Sequence, residues 1–302
     1  MSEAPRDAVA AFARYERIRA RLPAATFAEA PEVAPDLGAV AGRWDGFVLD
    51  AFGVLNVGDS PIPGAVARMA ALRRTGRRLI VLTNAASYPH AAAVAKFRRM
   101  GFDFAPEEVV SSRDVAAMHL AAIAPGAVWA ALAAEGDRFG DLPAGVVSAI
   151  DQPEAFEHAD GFLFLSTARW TPPLQARLAE ALRHRPRPLV VANPDLVAPR
   201  EGGLSVEPGF FAHDLIDAGL APEVHWFGKP YASAFAVAAA RAGLPPGRLA
   251  MVGDTLHTDI LGGRAAGMGA VLVTGHGILK GCDPLPFIAA SGIVPDVMVP
   301  TT

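Results

Sequence analysis

Four short stretches of the sequence contain residue types that could carry out chemistry together. They offer an acid, a hydroxyl beside an amide, a lysine and a pair of acids: Asp50, Thr83-Asn84, Lys229, and Asp254 with Asp259. Carboxylates can attack an electrophile or hold a divalent cation, and a lysine can neutralise the charge that they concentrate. Each stretch also has an ordinary explanation, because aspartates commonly cap helices or shape turns and loop lysines are commonly solvated.

The elements around these residues predict that several of them share one edge of a sheet. Asp50 ends the apolar run Phe47–Leu49, and Thr83 ends the run Leu79–Leu82. Uninterrupted apolar runs of this length are typical of strands that are buried on both faces. Strand-like and helix-like patterns alternate along the chain, which predicts an α/β fold with a doubly wound, Rossmann-like parallel sheet. Ligands bind beyond the carboxyl ends of such strands, so Asp50 and Thr83 are expected to share a crevice.

The pattern predicts three parts of the chain. Residues 1–40 are expected to be an N-terminal helical extension, to which no function is assigned. The alternating pattern fills residues 41–120 and 224–302, which are predicted to form the core domain, resuming with a strand over residues 224–227. Residues 121–223 have more prolines and only short apolar runs, and they are predicted to be an inserted α/β cap domain.

In this order and context, the four stretches resemble the motifs of the haloacid dehalogenase superfamily. Asp50 matches the nucleophile of the first motif, Thr83 the second motif and Lys229 the third. The acid pair Asp254 and Asp259 matches the fourth. The resemblance extends from residue 40 to the end of the sequence.

Three further motifs resemble one branch of that superfamily, subfamily IIA. They are Asn193-Pro194-Asp195 within the insert, Gly228-Lys229-Pro230, and Gly253-Asp254 followed by Thr258-Asp259-Ile260. The insert also follows the third predicted strand, where the second class of cap belongs. This branch contains p-nitrophenyl phosphatases, phosphoglycolate phosphatases and pyridoxal phosphate phosphatases.

The resemblance implies a magnesium-dependent phosphatase that acts on a small phosphorylated metabolite through an aspartyl-phosphate on Asp50. The implied Mg²⁺ ligands are the carboxylates of Asp50 and Asp254 and the backbone carbonyl of Phe52, with Asp259 as a further acid. Such a cation reduces the repulsion between the nucleophile and the phosphoryl oxygens.

The remaining roles implied by the resemblance concern the phosphoryl group and the substrate. Thr83 and the backbone N–H of Asn84 would hydrogen-bond the phosphoryl oxygens, and Lys229 would pair with the nucleophile and the phosphoryl group. Asn193 and Asp195 would orient the substrate from the cap, although they could also shape a turn.

The sequence departs from the family pattern at one position that matters for catalysis. Phosphatases of the superfamily usually carry a second aspartate two residues after the nucleophile, and here that residue is Phe52. Phenylalanine cannot transfer a proton, a contribution typically worth ~10²–10⁴-fold in rate. Another group such as His257 could supply the proton, the substrate could need none, or turnover could be slow. His257 is nevertheless expected to be an exposed turn residue, and Arg169 and Trp170 are expected to be ordinary cap-loop residues.

Phe52 therefore leaves two alternatives to a phosphatase open. The first is a carbon–halogen hydrolase of the haloacid dehalogenase type, because halide needs no proton to leave; the retained pair Asp254 and Asp259 argues against it. The second is a catalytically weak protein that binds phosphate or a partner; the intact Asp50 and Lys229 argue against that.

The composition of the sequence limits which partners the protein could bind and which cellular compartment it could occupy. The net charge is −4 and the pI is near 6.1, so no nucleic-acid surface is predicted. The single cysteine, Cys282, permits no internal disulfide, which is consistent with a reducing, cytoplasmic setting. The apolar runs are shorter than the about 20 residues that span a bilayer, so no membrane association is expected. The family resemblance leaves a homodimer open.

Overall fold

The computed structural model describes residues 3–200 and 203–302. Its α-helices are α1 Ala8–Arg17, α2 Ala65–Arg74, α3 His90–Arg99, α4 Ser112–Ile123, α5 Ala155–His158, α6 Pro172–His184, α7 Pro208–Asp217, α8 Ala232–Ala242, α9 Leu261–Ala265 and α10 Leu285–Ser291. A π-helical turn covers Leu256–Ile260, and short 3₁₀ turns cover Arg19–Arg21, Leu37–Val40, Pro106–Glu108 and Pro246–Arg248.

The strands are short and mostly parallel. In chain order they are β1 Glu32–Val33, β2 Gly46–Leu49, β3 Asn56–Val57, β4 Ser60–Pro61, β5 Arg78–Thr83, β6 Val109–Ser111, β7 Trp129–Leu132, β8 Val146–Ser148, β9 Gly161–Phe164, β10 Leu189–Val191, β11 Val197–Arg200, β12 Gly203–Val206, β13 Val224–Trp226, β14 Leu249–Gly253, β15 Gly269–Val273 and β16 Val297–Val299. Two pairs, β3–β4 and β11–β12, are antiparallel.

The larger sheet has seven parallel strands in the order β1-β16-β15-β14-β2-β5-β6. Its central strands are buried on both faces, as the apolar runs predict. Phe47 and Leu49 of β2 join the hydrophobic cluster on one face, and Val48 between them joins the cluster on the other. The same alternation holds in β5, where Ile80 lies on the opposite face from Val81. The predicted parallel α/β architecture is therefore confirmed.

Local hydrogen bonds explain where two of the helices begin. The side chain of Asp7 accepts from the backbone N–H of Ala10 at 2.8 Å and caps α1. At α4 the Ser111 hydroxyl accepts from the Asp114 N–H, and the Asp114 carboxylate accepts from the Ser111 N–H. Such reciprocal caps satisfy backbone donors that a helix start otherwise leaves unpaired.

The smaller sheet has five parallel strands in the order β13-β10-β9-β7-β8. It contains one strand that the sequence pattern assigned to the core domain. β13 pairs with β10, with Val224 opposite Leu189, so the expected return to the larger sheet at residue 224 is wrong. A three-residue apolar stretch indicates a strand but does not identify its partner, because only the neighbouring strands in space determine the pairing. The other predicted domain boundaries stay predictions.

The N-terminal helix α1 contacts both regions of the protein. Tyr15 and Ile18 pack with Leu196 and Phe210, which flank the hairpin β11–β12. Phe12, one turn earlier, packs against the cluster around the π-helical turn Leu256–Ile260. α1 is therefore an integral part of the packed structure. None of the helices described is both long enough and apolar enough to cross a bilayer.

Candidate active site

Three neighbouring strands of the larger sheet carry the site at their carboxyl ends. Asp50 follows β2, Thr83 is the last residue of β5, and Asp254 follows β14. These strands are adjacent in the order β14-β2-β5, and the Asp50 N–H continues the ladder by donating to the Val252 carbonyl at 2.8 Å. Sheet topology therefore gathers side chains that are far apart in the sequence.

Four charged residues meet at this edge, and we call them the acid cluster: Asp50, Asp254, Asp259 and Lys229. One carboxylate oxygen from each of the three aspartates lies within 4.8 Å of the others, and all three residues are buried. The Lys229 ammonium lies 2.6 Å from Asp50 Oδ1 and 2.7 Å from Asp259 Oδ1. One ammonium faces three carboxylates, so two negative charges remain uncompensated when all four groups are ionised.

Backbone and hydroxyl donors hold the two acids that follow β14. Asp254 accepts from the Thr255 hydroxyl at 2.9 Å and from the Ile278 N–H at 2.8 Å. Asp259, in the π-helical turn, accepts from the Thr255 N–H through Oδ2 at 3.1 Å. Its Oδ1 is buried, and its one polar contact within the described chain is the ion pair with the Lys229 ammonium.

Two glycines leave the space that Asp254 occupies. A Cβ at Gly277 would lie 1.8 Å from Asp254 Oδ2. Gly53 has φ +75, and a Cβ there would lie 2.7 Å from the same oxygen. Any larger residue would displace this carboxylate, so glycines at these two positions permit the acid cluster to form.

The charges of the cluster perturb one another. Burial, together with the carboxylates of Asp259 and Asp254, raises the pKa of Asp50 to about 8, although Lys229 opposes the change. Burial and Asp259 raise the pKa of Asp254 to about 7. Burial alone would lower the pKa of Lys229, but Asp259, Asp50 and Asp195 outweigh it and raise that pKa. Without a further cation, the carboxylates of Asp50 and Asp254 are thus driven toward protonation.

This arrangement fits a divalent cation. The three aspartates supply hard oxygen ligands, and their carboxylates exceed the positive charge of the one lysine beside them. Mg²⁺ prefers such oxygen ligands and is commonly held by only one or two carboxylates. The residues present therefore fit the metal that the motifs imply.

Asn84 connects the lysine with the loop of the smaller sheet. Its Oδ1 accepts from the Lys229 N–H at 2.8 Å, and its Nδ2 donates to the Lys229 carbonyl at 3.0 Å. The same Nδ2 donates to Asp195 Oδ1 at 2.8 Å. The neighbouring Thr83 hydroxyl accepts from the Ala85 N–H at 3.2 Å. Asn84 therefore fixes the backbone at Lys229 and contacts the Asn193-Pro194-Asp195 loop directly.

A cavity of about 140 Å³ opens beside Asp50. The predicted residues Asp50, Phe52, Thr83, Asn84, Asn193 and Asp195 line it, whereas Lys229, Asp254 and Asp259 lie beside Asp50. The structure thus brings every predicted site residue to one place, from both sheets. Sequence reasoning missed five polar residues of the lining: Asn56, Ser87, Tyr88, Lys96 and Glu207. No motif spacing identifies them, because they reach the cavity from separate segments, namely β3, the loop before α3, α3 itself and the residue after β12.

The environment of His257 differs from the sequence expectation. His257 is buried rather than an exposed turn residue, because α1 packs over it. Its ring stacks on Tyr15 with centroids 4.9 Å apart, and its Nε2 lies 2.6 Å from the Glu16 carboxylate. Burial lowers its pKa to about 4. It is absent from the cavity lining, so it is not placed to donate a proton there.

The two cap-loop residues behave as expected. Arg169 pairs with the exposed Asp151 at 2.7 Å, and the Trp170 indole donates to Gln175 at 2.9 Å. Neither lines the cavity beside Asp50.

Comparisons with known proteins agree with the geometry of the site. A family model described as haloacid dehalogenase-like hydrolase matches residues 47–139, and a second, HAD-hydrolase-like, matches residues 226–284. A glycerol-3-phosphate phosphatase of Gallus gallus is 32% identical over 282 residues, covering 86% of this chain and 90% of the relative.

Solved structures give the same result for the fold. A glycerol phosphate phosphatase from Mycobacterium tuberculosis in complex with magnesium is 29% identical, with a TM-score of 0.64, covering 78% of this chain and 69% of that one. A possible sugar phosphatase from Cytophaga hutchinsonii is 24% identical, with a TM-score of 0.78, covering 90% and 98%. The identity and coverage of the avian relative, with the two family models, show that this chain belongs to the haloacid dehalogenase-like hydrolases.

Proposed function

We propose that this protein is a magnesium-dependent phosphatase that hydrolyses small phosphorylated metabolites through an aspartyl-phosphate on Asp50. The observation that carries the proposal is the acid cluster, in which Asp50 meets two further carboxylates and one lysine beside a small cavity. The names of the relatives support phosphoester hydrolysis, since those from Gallus gallus and Mycobacterium tuberculosis are both glycerol phosphate phosphatases.

The acids of the cluster would hold the cation. Asp50 and Asp254 would bind it through their carboxylates and Phe52 through its backbone carbonyl, with Asp259 as a further acid ligand or its immediate neighbour. When bound, Mg²⁺ would neutralise charge on the phosphoryl oxygens and on the attacking carboxylate. Asp50 would attack phosphorus in line with the departing alkoxide, and water would later cleave the acyl phosphate.

The remaining residues would bind the phosphoryl group. The Thr83 hydroxyl and the Asn84 N–H point from the end of β5, next to the strand that carries Asp50. Lys229 already pairs with Asp50 and would extend this pairing to the phosphoryl oxygens. Such preorganised donors stabilise the charge that develops in the transition state.

The cavity indicates a small leaving group. Its volume of about 140 Å³ suits a compact metabolite rather than a macromolecule. Asn193 and Asp195, on the loop between β10 and β11, would contact the part of the substrate beyond the phosphoryl group. A homodimer and a cytoplasmic location stay predictions.

One alternative has a specific observation in its favour. Phe52 lines the cavity where the family pattern has a proton-transferring aspartate, and a carbon–halogen hydrolase needs no such proton. The convergence of Asp254 and Asp259 on Asp50 opposes this alternative, because halide displacement has no use for a metal-binding acid pair.

Phosphate release and halide release separate the two functions. We expect Mg²⁺-dependent phosphate release from p-nitrophenyl phosphate and glycerol 3-phosphate, abolished by chelator and reduced at least ~10⁴-fold by Asp50→Asn. Asp103→Asn, at an exposed acid outside the site, is the matched control and should retain full activity. Halide release from a 2-haloacid in the presence of chelator, without phosphate release, would overturn the proposal.

A further inference from the structure

The proposed reaction needs a proton for the leaving oxygen, and Phe52 cannot supply it. The inference drawn here rests on the proposed function and concerns the group that replaces the missing acid. Such a group must line the cavity beside Asp50 and carry a transferable proton. Apart from Asp50 itself, the acid side chains in the lining are Asp195 and Glu207, and Tyr88 and Lys96 complete its set of titratable groups.

Glu207 and Lys96 are already engaged. Glu207 accepts from the Ser205 hydroxyl at 2.5 Å through Oε1 and from Asn193 Nδ2 at 3.1 Å through Oε2. Both of its oxygens are therefore hydrogen-bonded, one of them to the loop that carries Asp195. Lys96 lies 3.1 Å from the Asp59 carboxylate, so its ammonium is stabilised as an ion-pair partner.

Asp195 is held by one oxygen and has the other available. Its Oδ1 accepts from Asn84 Nδ2 at 2.8 Å, and its N–H donates to Asn193 Oδ1 at 3.1 Å. The next residue, Leu196, donates its N–H to the Tyr15 hydroxyl at 3.2 Å, so α1 also fixes this loop. Asp195 Oδ2 makes no hydrogen bond within the described chain, and the residue is partly exposed in the cavity lining.

The electrostatic surroundings favour the acid form of Asp195. Burial raises its pKa to about 8, while Lys229 and the hydrogen bond from Asn84 oppose the rise. Asp50 and Asp259 add to it through repulsion. A carboxylic acid held neutral in this way can donate a proton near neutral pH, which an ordinary aspartate cannot do.

We propose that Asp195 is the general acid and base of this site, replacing the aspartate that the family pattern places two residues after the nucleophile. As Asp50 forms a bond to phosphorus, the bond from phosphorus to the leaving oxygen breaks, and that oxygen takes the Asp195 proton. The products are the alcohol, the aspartyl-phosphate and the Asp195 carboxylate.

The second half-reaction returns the proton. The Asp195 carboxylate takes a proton from water while the water oxygen attacks phosphorus, and the bond from phosphorus to Asp50 breaks. Inorganic phosphate leaves, Asp50 is again a carboxylate, and Asp195 is again an acid. The water attacks from the side that the alcohol has vacated, which is the side where the cavity lies.

The experiment compares Asp195→Asn on two esters. An asparagine can still accept from Asn84, so the loop contact is retained while the proton is lost. With glycerol 3-phosphate, whose alkoxide is a poor leaving group, we expect a ~10²–10⁴-fold loss in kcat. With p-nitrophenyl phosphate, whose phenolate leaves without a proton, phosphoenzyme formation should fall less than about tenfold while its hydrolysis slows.

This difference gives a readout that a merely structural role would not produce. In Asp195→Asn, p-nitrophenyl phosphate should yield a burst of about one nitrophenolate per enzyme, with a phosphorylated protein visible by mass spectrometry. Asp160→Asn, at an exposed acid of the smaller-sheet region, is the matched control and should show neither effect. Equal losses of kcat on the two esters, without a nitrophenolate burst, would overturn the role of Asp195 but would leave the proposed function standing. Inactivity of the wild-type protein on both esters would overturn the proposed function and this inference together.

Discussion

Two charge clusters of this protein, each built around a buried cation, differ in how completely their charges are paired. We call the second one the Arg113 cluster: Arg113, Asp137 and Asp141. The Arg113 guanidinium donates to both oxygens of each aspartate at 2.5–3.0 Å. In the acid cluster, one ammonium serves three carboxylates, and it is the one polar partner of Asp259 Oδ1 within the described chain.

The difference separates a structural ion network from a site. The Arg113 cluster joins α4 to the segment between β7 and β8, and each of its charges has a bidentate partner. It has nothing left to bind. The acid cluster keeps unpaired negative charge beside a cavity that Asp50 lines, at a cost in stability, and that charge is available for a cation.

The largest expected effect on stability comes from breaking the paired cluster. Arg113→Met should lower the free energy of unfolding by about 3–5 kcal/mol, because the buried carboxylate of Asp137 and the partly exposed one of Asp141 lose the cation that they share. Urea unfolding followed by circular dichroism measures the change. Arg138→Met, at an exposed arginine nearby, is the control and should stay within about 0.5 kcal/mol of the wild type. A small effect of Arg113→Met would show that the network is not structural.

Removing a charged side chain from the acid cluster should have the opposite effect on stability. In metal-free protein at pH 8, Asp254→Asn should keep or slightly raise the unfolding free energy, because it removes a repelling carboxylate. Saturating Mg²⁺ should stabilise the wild type by about 2.7 kcal/mol at a concentration of 100 Kd, and this gain should vanish in the variant. Thermal unfolding with and without Mg²⁺ gives both values. Equal stabilisation of the two proteins would place the cation elsewhere.

A buried histidine, His213, extends the comparison to a group that is uncharged at neutral pH. His213, on α7, stacks on Trp226 and lies 3.3 Å from an Arg21 nitrogen. Burial, with Arg21 and Arg14, lowers its pKa from 6.5 to about 3, although Asp217 opposes the shift. The unfolded chain therefore binds a proton that the folded protein excludes. The contribution of His213 to the free energy of unfolding is fully present above pH 6.5, and it is lost as the pH falls from 6.5 toward 3.

The role of His213 can be tested by measuring how the free energy of unfolding changes with pH. Between pH 7 and pH 5 the wild type should lose about 2 kcal/mol more than His213→Gln. His184→Gln, at an exposed histidine, should follow the wild-type curve. Identical curves for His213→Gln and the wild type would show that His213 takes up its proton in the folded state.

The sequence was sufficient to predict the parallel sheet and the motif residues that meet at its edge, but not the other residues that line the cavity. Strands such as β2 and β5 are uninterrupted apolar runs, and in a parallel sheet their carboxyl ends meet at one edge. Asp50 and Thr83 were predictable because they stand directly at those ends. The family resemblance added the roles of Lys229 and the acid pair.

Contacts between distant segments were not predictable. His257 is buried by α1, whose Glu16 is 241 residues away in the sequence. β13 joins the smaller sheet because β10 is its neighbour in space, which three residues cannot encode. The pairing of Arg113 with Asp137 likewise depends on how α4 packs, and no periodic pattern reveals it.

A crystal structure with Mg²⁺ and beryllium fluoride, which mimics a phosphoryl group on an aspartate, would show directly whether Asp50 is the nucleophile beside a bound cation. We expect the cation to be bound by the carboxylates of Asp50 and Asp254 and the fluoride complex to be bonded to Asp50. A cation bound away from these carboxylates, or a fluoride complex on another residue, would show that Asp50 does not have this role.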